Sequence, residues 1–229
     1  SLGDIWAMGA CPKAALANII LPEASARIQE RWLKEIMSAC QSVFLEEGAS
    51  IAGGHTSLGS ELSVGFSVFG HCRGKPILIS GAKPGDLLIL TKPIGSGTIL
   101  AAEMQLKARG IWVAEALKWM LQSQRKASRI LKCASAMTDV TGFGLAGHLY
   151  KICESSNLKA NLYLSEVPIL IGAESLSESG IRSTIFSENE KMRSSMSVSP
   201  SAKATLLFDP QTSGGLLAAI SPSKADLVV

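Results

Sequence analysis

The chain has 229 residues, a formal net charge of +3, 47% hydrophobic and 18% charged residues, a composition that buries one large or two small cores and excludes a disordered chain. Its basic residues are dispersed and it has only two Tyr, so no nucleic-acid partner is expected. Mean hydropathy is +0.26, yet no run of about 18 uninterrupted apolar residues occurs, so neither a transmembrane segment nor a membrane partner is expected.

In chain order, Asp4 to Met8 reads as a helix, Gly9 to Pro12 as a break and Ala14 to Leu21 as a strand. Ile28, Trp32, Leu33, Ile36, Met37, Cys40, Val43 and Phe44 recur at three- and four-residue spacings, which predicts an amphipathic helix that Gly48 ends. Leu62, Val64, Phe66 and Val68 alternate with polar or small residues, as in a half-buried strand. A turn at Arg73 to Pro76 precedes a short strand, Ile77 to Ile79. Lys83-Pro84-Gly85-Asp86 is a second turn, and Leu87 to Leu90 the strand after it. The domain boundary is placed near residue 83, giving domains 1–82 and 83–229.

Beyond it, Gly95-Ser96-Gly97 leads a helix to about Ala108, and a second helix is expected from Trp112 to Cys133. Leu145, Leu149 and Ile152 predict a helix after a glycine-spaced turn. Leu158 to Leu164 reads as a strand, Ile169 to Ser179 as a helix and residues 183–203 as a polar, serine-rich exposed loop. Thr205 to Phe208 and Gly215 to Ile220 read as strands, with a helix start at Ser221-Pro222-Ser223. The alternation of strands and helices argues for an α+β fold, each sheet covered by helices on one face.

Five cysteines, an odd number with no C-x-x-C pair, argue against a disulfide framework or a zinc site and fit a reducing cytoplasm. The chain opens without an initiator Met and stops just after a helix start, so it is expected to be a piece of a longer protein.

One segment concentrates the chemistry: Thr138-Asp139-Val140-Thr141-Gly142-Phe143-Gly144-Leu145-Ala146-Gly147-His148. A short loop feeding a helix N-terminus offers N–H groups and a positive dipole end to an anion such as phosphate. A carboxylate there holds a hard divalent cation against the same oxygens. The competing reading is an Asp that caps an ordinary helix. His148, one and a half turns into that helix, reads as a hydrogen-bonded core histidine rather than a catalyst. Gly95-Ser96-Gly97 at a helix start suits either phosphate or close helix packing, with packing preferred; the third glycine of a dinucleotide fingerprint is missing. Gly53-Gly54 permits close backbone approach to a ligand, but as a bare string reads as a turn.

The Thr138 to His148 string resembles the signature of the selenophosphate synthetase (selenide, water dikinase) family of the aminoimidazole-ribotide-synthetase-like superfamily. Four further segments resemble the same family: Gly3-Asp4-Ile5-Trp6-Ala7-Met8-Gly9-Ala10, Ala52-Gly53-Gly54-His55-Thr56, Thr91 to Gly97, and Asp209-Pro210-Gln211-Thr212-Ser213-Gly214-Gly215. The last is expected to be architectural. The resemblance implies a two-domain aminoimidazole-ribotide-synthetase-like fold with mixed or antiparallel sheets, the first domain supplying strands to a dimeric barrel. It implies that Asp4 and Asp139 bind Mg2+, that Asp4, Gly53, Gly54 and His55 contact ATP, and that the partners are ATP, selenide and a second copy of the chain. The implied reaction takes ATP, selenide and water to selenophosphate, AMP and phosphate. Its catalytic Cys or selenocysteine and Lys are expected upstream of residue 1, so the piece alone is expected to be inactive. At Gly180-Ile181-Arg182-Ser183 the chain departs from the Pro-Gly-Gly-Thr of many members. The alternatives are another kinase or synthetase of the superfamily and a non-catalytic nucleotide-binding or dimerisation module.

Overall fold

The structure, a computed structural model, describes residues 1–228. The chain divides into two compact units, Ser1–Pro76 and Ile77–Val229.

In the first unit, helix α1 (Leu2–Ala7) leads into strand β1 (Cys11–Pro22), helix α2 (Ala26–Glu46), and strands β2 (Ser50–Gly59) and β3 (Ser63–His71). The sheet runs β2-β1-β3, with β1 parallel to β2 and antiparallel to β3. The parallel pairing follows from the helical crossover between β1 and β2. Ala17, Ile19 and Leu21 alternate along β1 onto one face, where Trp32, Leu33, Ile36 and Met37 of α2 pack. Phe44 closes the other end against Phe66, ring centroids 5.2 Å apart. Removing each such aliphatic side chain from water contributes about 1.5–3 kcal/mol, which is what holds an otherwise exposed helix on the sheet.

β2 was not foreseen. It contains the Gly53-Gly54 pair, so that pair lies within a strand rather than a turn. Ala52 is the extra residue of a bulge: Ala15 pairs with Ile51 and Leu16 with Gly53. A Cβ on Gly54 would fall 2.0 Å from the Ala17 carbonyl oxygen, so only glycine fits this close strand approach.

The second unit is built on strands β4 (Leu87–Leu90), β5 (Ala136–Asp139) and β6 (Leu216–Ile220), all antiparallel in the order β4-β6-β5. All five residues of β6 are buried, so both its faces are covered. Helices α3 (Ser96–Met104), α4 (Gly110–Leu121), α5 (Arg125–Ile130), α6 (Gly144–Ser156), α7 (Ala173–Glu178), α8 (Phe186–Glu190), α9 (Ala202–Leu206) and α10 (Pro222–Ala225) surround it. Ile99, Leu145, Ile152, Leu206, Phe208 and Leu217 are among the fully enclosed core side chains. Leu106, one residue past the C-cap of α3, takes a left-handed φ of 56° while 92% exposed.

Several expectations are corrected. The helix expected over 112–133 is interrupted after Leu121. The Gln124 side chain turns inward to accept a hydrogen bond from Thr91 Oγ1, and Ser123 Oγ accepts from Arg125 N–H, restarting the helix as α5. Residues 77–79 form no strand; Leu78 O accepts one bond, from Met137 N–H. Residues 158–164 form no strand either; Leu162 reaches the core from a loop and Leu164 from the start of a 3-10 turn (Leu164–Glu166). The helix expected over 169–179 is confined to α7. The polar 183–203 segment is not an open loop: it holds α8, a 3-10 turn (Lys191–Ser195) and the start of α9, anchored by buried Phe186. Thr205 and Leu206 close α9 rather than opening a strand.

Candidate functional site

Asp139 is half-buried and ends β5, opposite Leu216 at the start of β6. The residues just after it are tied to the rest of the unit by several backbone hydrogen bonds. Val140 N–H donates to Gly215 O (2.8 Å), and Thr141 N–H donates to His148 Nε2 (3.0 Å). Thr141 O accepts from Gln211 N–H (2.9 Å) and Gly144 N–H (3.0 Å). Gly142 O accepts from Asn189 Nδ2 (2.8 Å), whose amide also donates to Phe208 O (3.0 Å). These bonds restrain the main chain that follows the carboxylate.

His148 is buried, as read from the sequence, and burial pushes its pKa below the usual histidine value. Because Nε2 accepts a backbone N–H, the ring proton resides on Nδ1. Nδ1 lies 3.4 Å from Thr138 Oγ1, which donates to Asp139 O at 3.1 Å. The Phe143 ring stacks obliquely on the imidazole at 5.6 Å. The start of α6 is less open to an anion than its sequence suggests. Gly144 N–H is taken by Thr141 O, and Ala146 N–H donates to Leu207 O at 2.8 Å.

The Gly95-Ser96-Gly97 helix start is likewise occupied by the protein itself. Gln211 Oε1 accepts from Gly95 N–H (2.9 Å), Ser96 N–H (3.1 Å) and Ser96 Oγ (3.1 Å), and Asp209 Oδ2 accepts from Thr98 N–H (2.9 Å). An internal carboxylate and amide thus fill the first turn of α3, where an external anion would bind. A Cβ on Gly97 would lie 2.3 Å from Pro210 O. Packing is therefore the reason for this glycine. Burial raises the Asp209 pKa to about 6 against the lowering effect of its hydrogen bonds, and its Oδ1 has no partner. Lys92, also buried, donates from Nζ to Ser213 O at 2.9 Å, and burial lowers its pKa to about 8.

Asp4 lies exposed in the first turn of α1. Gly53, Gly54 and His55 lie on β2, where His55 is exposed and paired with Asn18. Gly53 and His55 register with Leu16 and Asn18, on the sheet face turned away from α2. Asp4, Gly53, Gly54 and His55 belong to the first unit and Asp139 to the second. Among the described residues no group of three or more His, Cys, Asp or Glu is arranged to hold a metal ion. All five cysteines are free. A cavity of about 890 Å³ in the second unit is lined by Leu88, Leu149, Ile152 and Leu217 and does not include Asp139.

Sequence reasoning missed Asn189 and Gln211 as supports of the signature loop. Gln211 lay inside a string already read as architectural. Asn189 gave no signal except its place three residues after a buried aromatic, in a segment whose composition reads as loop.

The AIR synthase related protein N-terminal domain family matches residues 1–72, and the C-terminal domain family residues 83–229. The chain is 39% identical over 233 residues to the selenide, water dikinase of Geobacter metallireducens, covering 99% of this chain and 67% of that protein. It is 37% identical to that of Caldanaerobacter subterraneus subsp. tengcongensis, covering 99% and 66%. The chain thus spans about two thirds of the length of these curated relatives. Among solved structures, hydrogenase maturation protein HypE superposes with a TM-score of 0.77 at 16% identity, covering 99% of this chain and 65% of that one. Thiamine-monophosphate kinase from Stenotrophomonas maltophilia gives 0.73 at 21% identity, covering 98% and 66%, and these two show a shared fold. With both domains matched and this identity along its whole length, the chain belongs to the AIR synthase related family and, within it, to the selenide, water dikinases.

Proposed function

We propose that the intact protein is an ATP-dependent phosphotransferase that converts ATP, selenide and water to selenophosphate, AMP and phosphate. The observation that carries this reading is Asp139, at the end of β5 before a hydrogen-bonded loop, in a chain similar over 99% of its length to selenide, water dikinases. A structure of HypE in complex with ATP, superposing with a TM-score of 0.75 at 16% identity, supports a fold able to hold the nucleotide.

Mg2+ suits the chemistry of Asp139, a hard oxygen donor, since magnesium is commonly held by one or two carboxylates, with phosphate oxygens and water completing its shell. The metal would neutralise charge spread over the transferring phosphate oxygens. Asp139 would hold it, and the loop of residues 140–144 would keep that carboxylate from reorienting. By family resemblance, Asp4 is a second ligand that also faces the nucleotide, and Gly53, Gly54 and His55 contact ATP along β2. The division we propose assigns 1–82 to part of an ATP-binding and dimerisation domain and 83–229 to the α+β domain that carries Asp139. The sheet of the first unit supports a homodimer: its edge strand β2 is largely exposed, as are Leu16, Val64 and Phe69. Five unpaired cysteines support a reducing, cytoplasmic setting, and no described helix is long and apolar enough to cross a membrane.

The test is to incubate the full-length protein with ATP, Mg2+ and selenide and to follow selenophosphate by phosphorus NMR alongside AMP by chromatography. Selenophosphate and AMP forming together are expected. ATP consumption indifferent to selenide would instead favour another kinase of the same fold.

A further inference from the structure

The signature loop is clamped by a side chain from the helix that follows it. His148 reaches back to both sides of Asp139-Val140: Nε2 accepts the Thr141 N–H at 3.0 Å, and Nδ1 stands 3.4 Å from Thr138 Oγ1. Thr138 Oγ1 in turn donates to the Asp139 carbonyl oxygen at 3.1 Å. Only one arrangement of protons satisfies all three contacts. Nε2 is bare, Nδ1–H donates to the threonine oxygen, and the threonine proton goes to Asp139 O. The imidazole is thus an acceptor for the residue two places after Asp139 and a donor to the residue immediately before it.

The clamp is rigid because its base is rigid. His148 is 8% exposed, on the buried face of α6 with Leu145, Leu149 and Ile152, and Phe143 covers its ring. Asn189 in addition ties Gly142 O to Phe208 O. None of these groups is a metal ligand. All of them fix the main chain from which the Asp139 carboxylate projects.

We propose that His148, acting through Thr138 and Thr141, is the positioning residue that orients Asp139 toward the divalent cation. The inference rests on the reading of Asp139 as a metal ligand. Partners that orient a ligating side chain commonly set metal affinity by about ten- to a hundredfold, because a ligand free to reorient must be ordered when the metal binds.

The experiment uses the full-length protein with Mn2+ as the probe, its binding in the presence of ATP and absence of selenide read by electron paramagnetic resonance. Hydrogen exchange of the Thr141 amide is read in parallel. His148→Leu and Thr138→Val should raise the Mn2+ concentration for half-saturation about tenfold or more. His148→Leu should also speed exchange at Thr141. His148→Gln, which can restore an acceptor to the Thr141 N–H, should stay within about threefold of wild type. Thr138→Val removes one hydroxyl and little volume, so it reports even if His148→Leu folds poorly. The proposal is overturned if the variants lose thermal stability but keep the wild-type Mn2+ half-saturation. It is equally overturned if Asp139→Ala leaves Mn2+ binding unchanged. Since selenide is absent throughout, a protein that shows the expected Mn2+ pattern yet makes no selenophosphate sinks the proposed reaction and leaves this inference standing.

Discussion

Replacing Gln211 with Leu tests whether the Asp209 to Gly215 string is a remote cap for α3. The side chain is 5% exposed, and its Oε1 accepts from Gly95 N–H and Ser96 N–H while Nε2 donates to Asp209 O at 2.8 Å. Leucine has a similar volume, so the change opens little cavity; its effect is on polar groups. Two backbone N–H groups and one carbonyl lose their partner in the interior, each at a cost of about 1–3 kcal/mol. Ser96 Oγ is less affected, because it also accepts from Thr212 N–H at 3.0 Å. Allowing about 1–2 kcal/mol for the added apolar burial, the net loss is about 1–8 kcal/mol, centred near 4 kcal/mol. That is a large share of the ~5–15 kcal/mol that holds a typical domain together. Urea unfolding followed by tryptophan fluorescence measures it, with Trp112 and Trp119 reporting from the second unit. A midpoint lowered at unchanged slope is expected. A loss below about 1 kcal/mol would show that water or a rotated neighbour satisfies the helix start, and would refute the capping argument.

Three further outcomes follow from the same geometry. Asp209 has a folded pKa of about 6, above the 3.8 of an unperturbed Asp, so its stability contribution is full below pH 3.8 and is lost as pH rises through 6. Relative to Asp209→Asn, the wild type should therefore gain on acidification across that window, by about 3 kcal/mol at most, in urea midpoints taken at several pH values. His148 has the opposite sign, its pKa lying below 6.5, so its contribution is present above pH 6.5 and lost on acidification; comparing variant with wild type cancels it. Gly97→Ala should lower the thermal midpoint by an amount equivalent to about 2 kcal/mol or more, since the new methyl meets the Pro210 carbonyl oxygen; an unchanged midpoint would refute that contact. Leu106→Gly should stabilise by about 0.5–1 kcal/mol, because a left-handed, 92% exposed leucine keeps backbone strain without packing in return; a lower midpoint would contradict this.

Legibility in the sequence followed burial. The α2 helix was readable because its apolar residues repeat on the one face that meets β1. The loop and helix after Asp139 were readable because the string is long and specific, whereas the four-residue strand β5 before it carries no alternation long enough to announce it. Gly97 was readable as a packing glycine because the third glycine of a nucleotide fingerprint is missing, and in the structure Asp209 and Pro210 fill the space beside it. β2 was not readable, since most of its residues are exposed and it has no buried face to impose an alternation. Thr205 to Phe208 misled for the opposite reason. Leu206, Leu207 and Phe208 are all buried, and a short apolar run fits a strand and a buried helical turn equally well. The long helix over 112–133 failed because the break depends on Gln124 bonding Thr91, 33 residues away, which no local pattern encodes. Asn189 is the same case: its two acceptors, Gly142 and Phe208, come from distant parts of the chain.

The central claim is that Asp139 holds the metal for selenide-dependent cleavage of ATP. The most direct test is AMP formation by full-length wild type and Asp139→Asn, each with and without selenide, over a range of Mg2+ concentrations. The account predicts selenide-dependent AMP from the wild type and a loss of at least about a hundredfold in the variant, with a thermal midpoint close to wild type. Equal AMP formation by the two proteins at every Mg2+ concentration would contradict it.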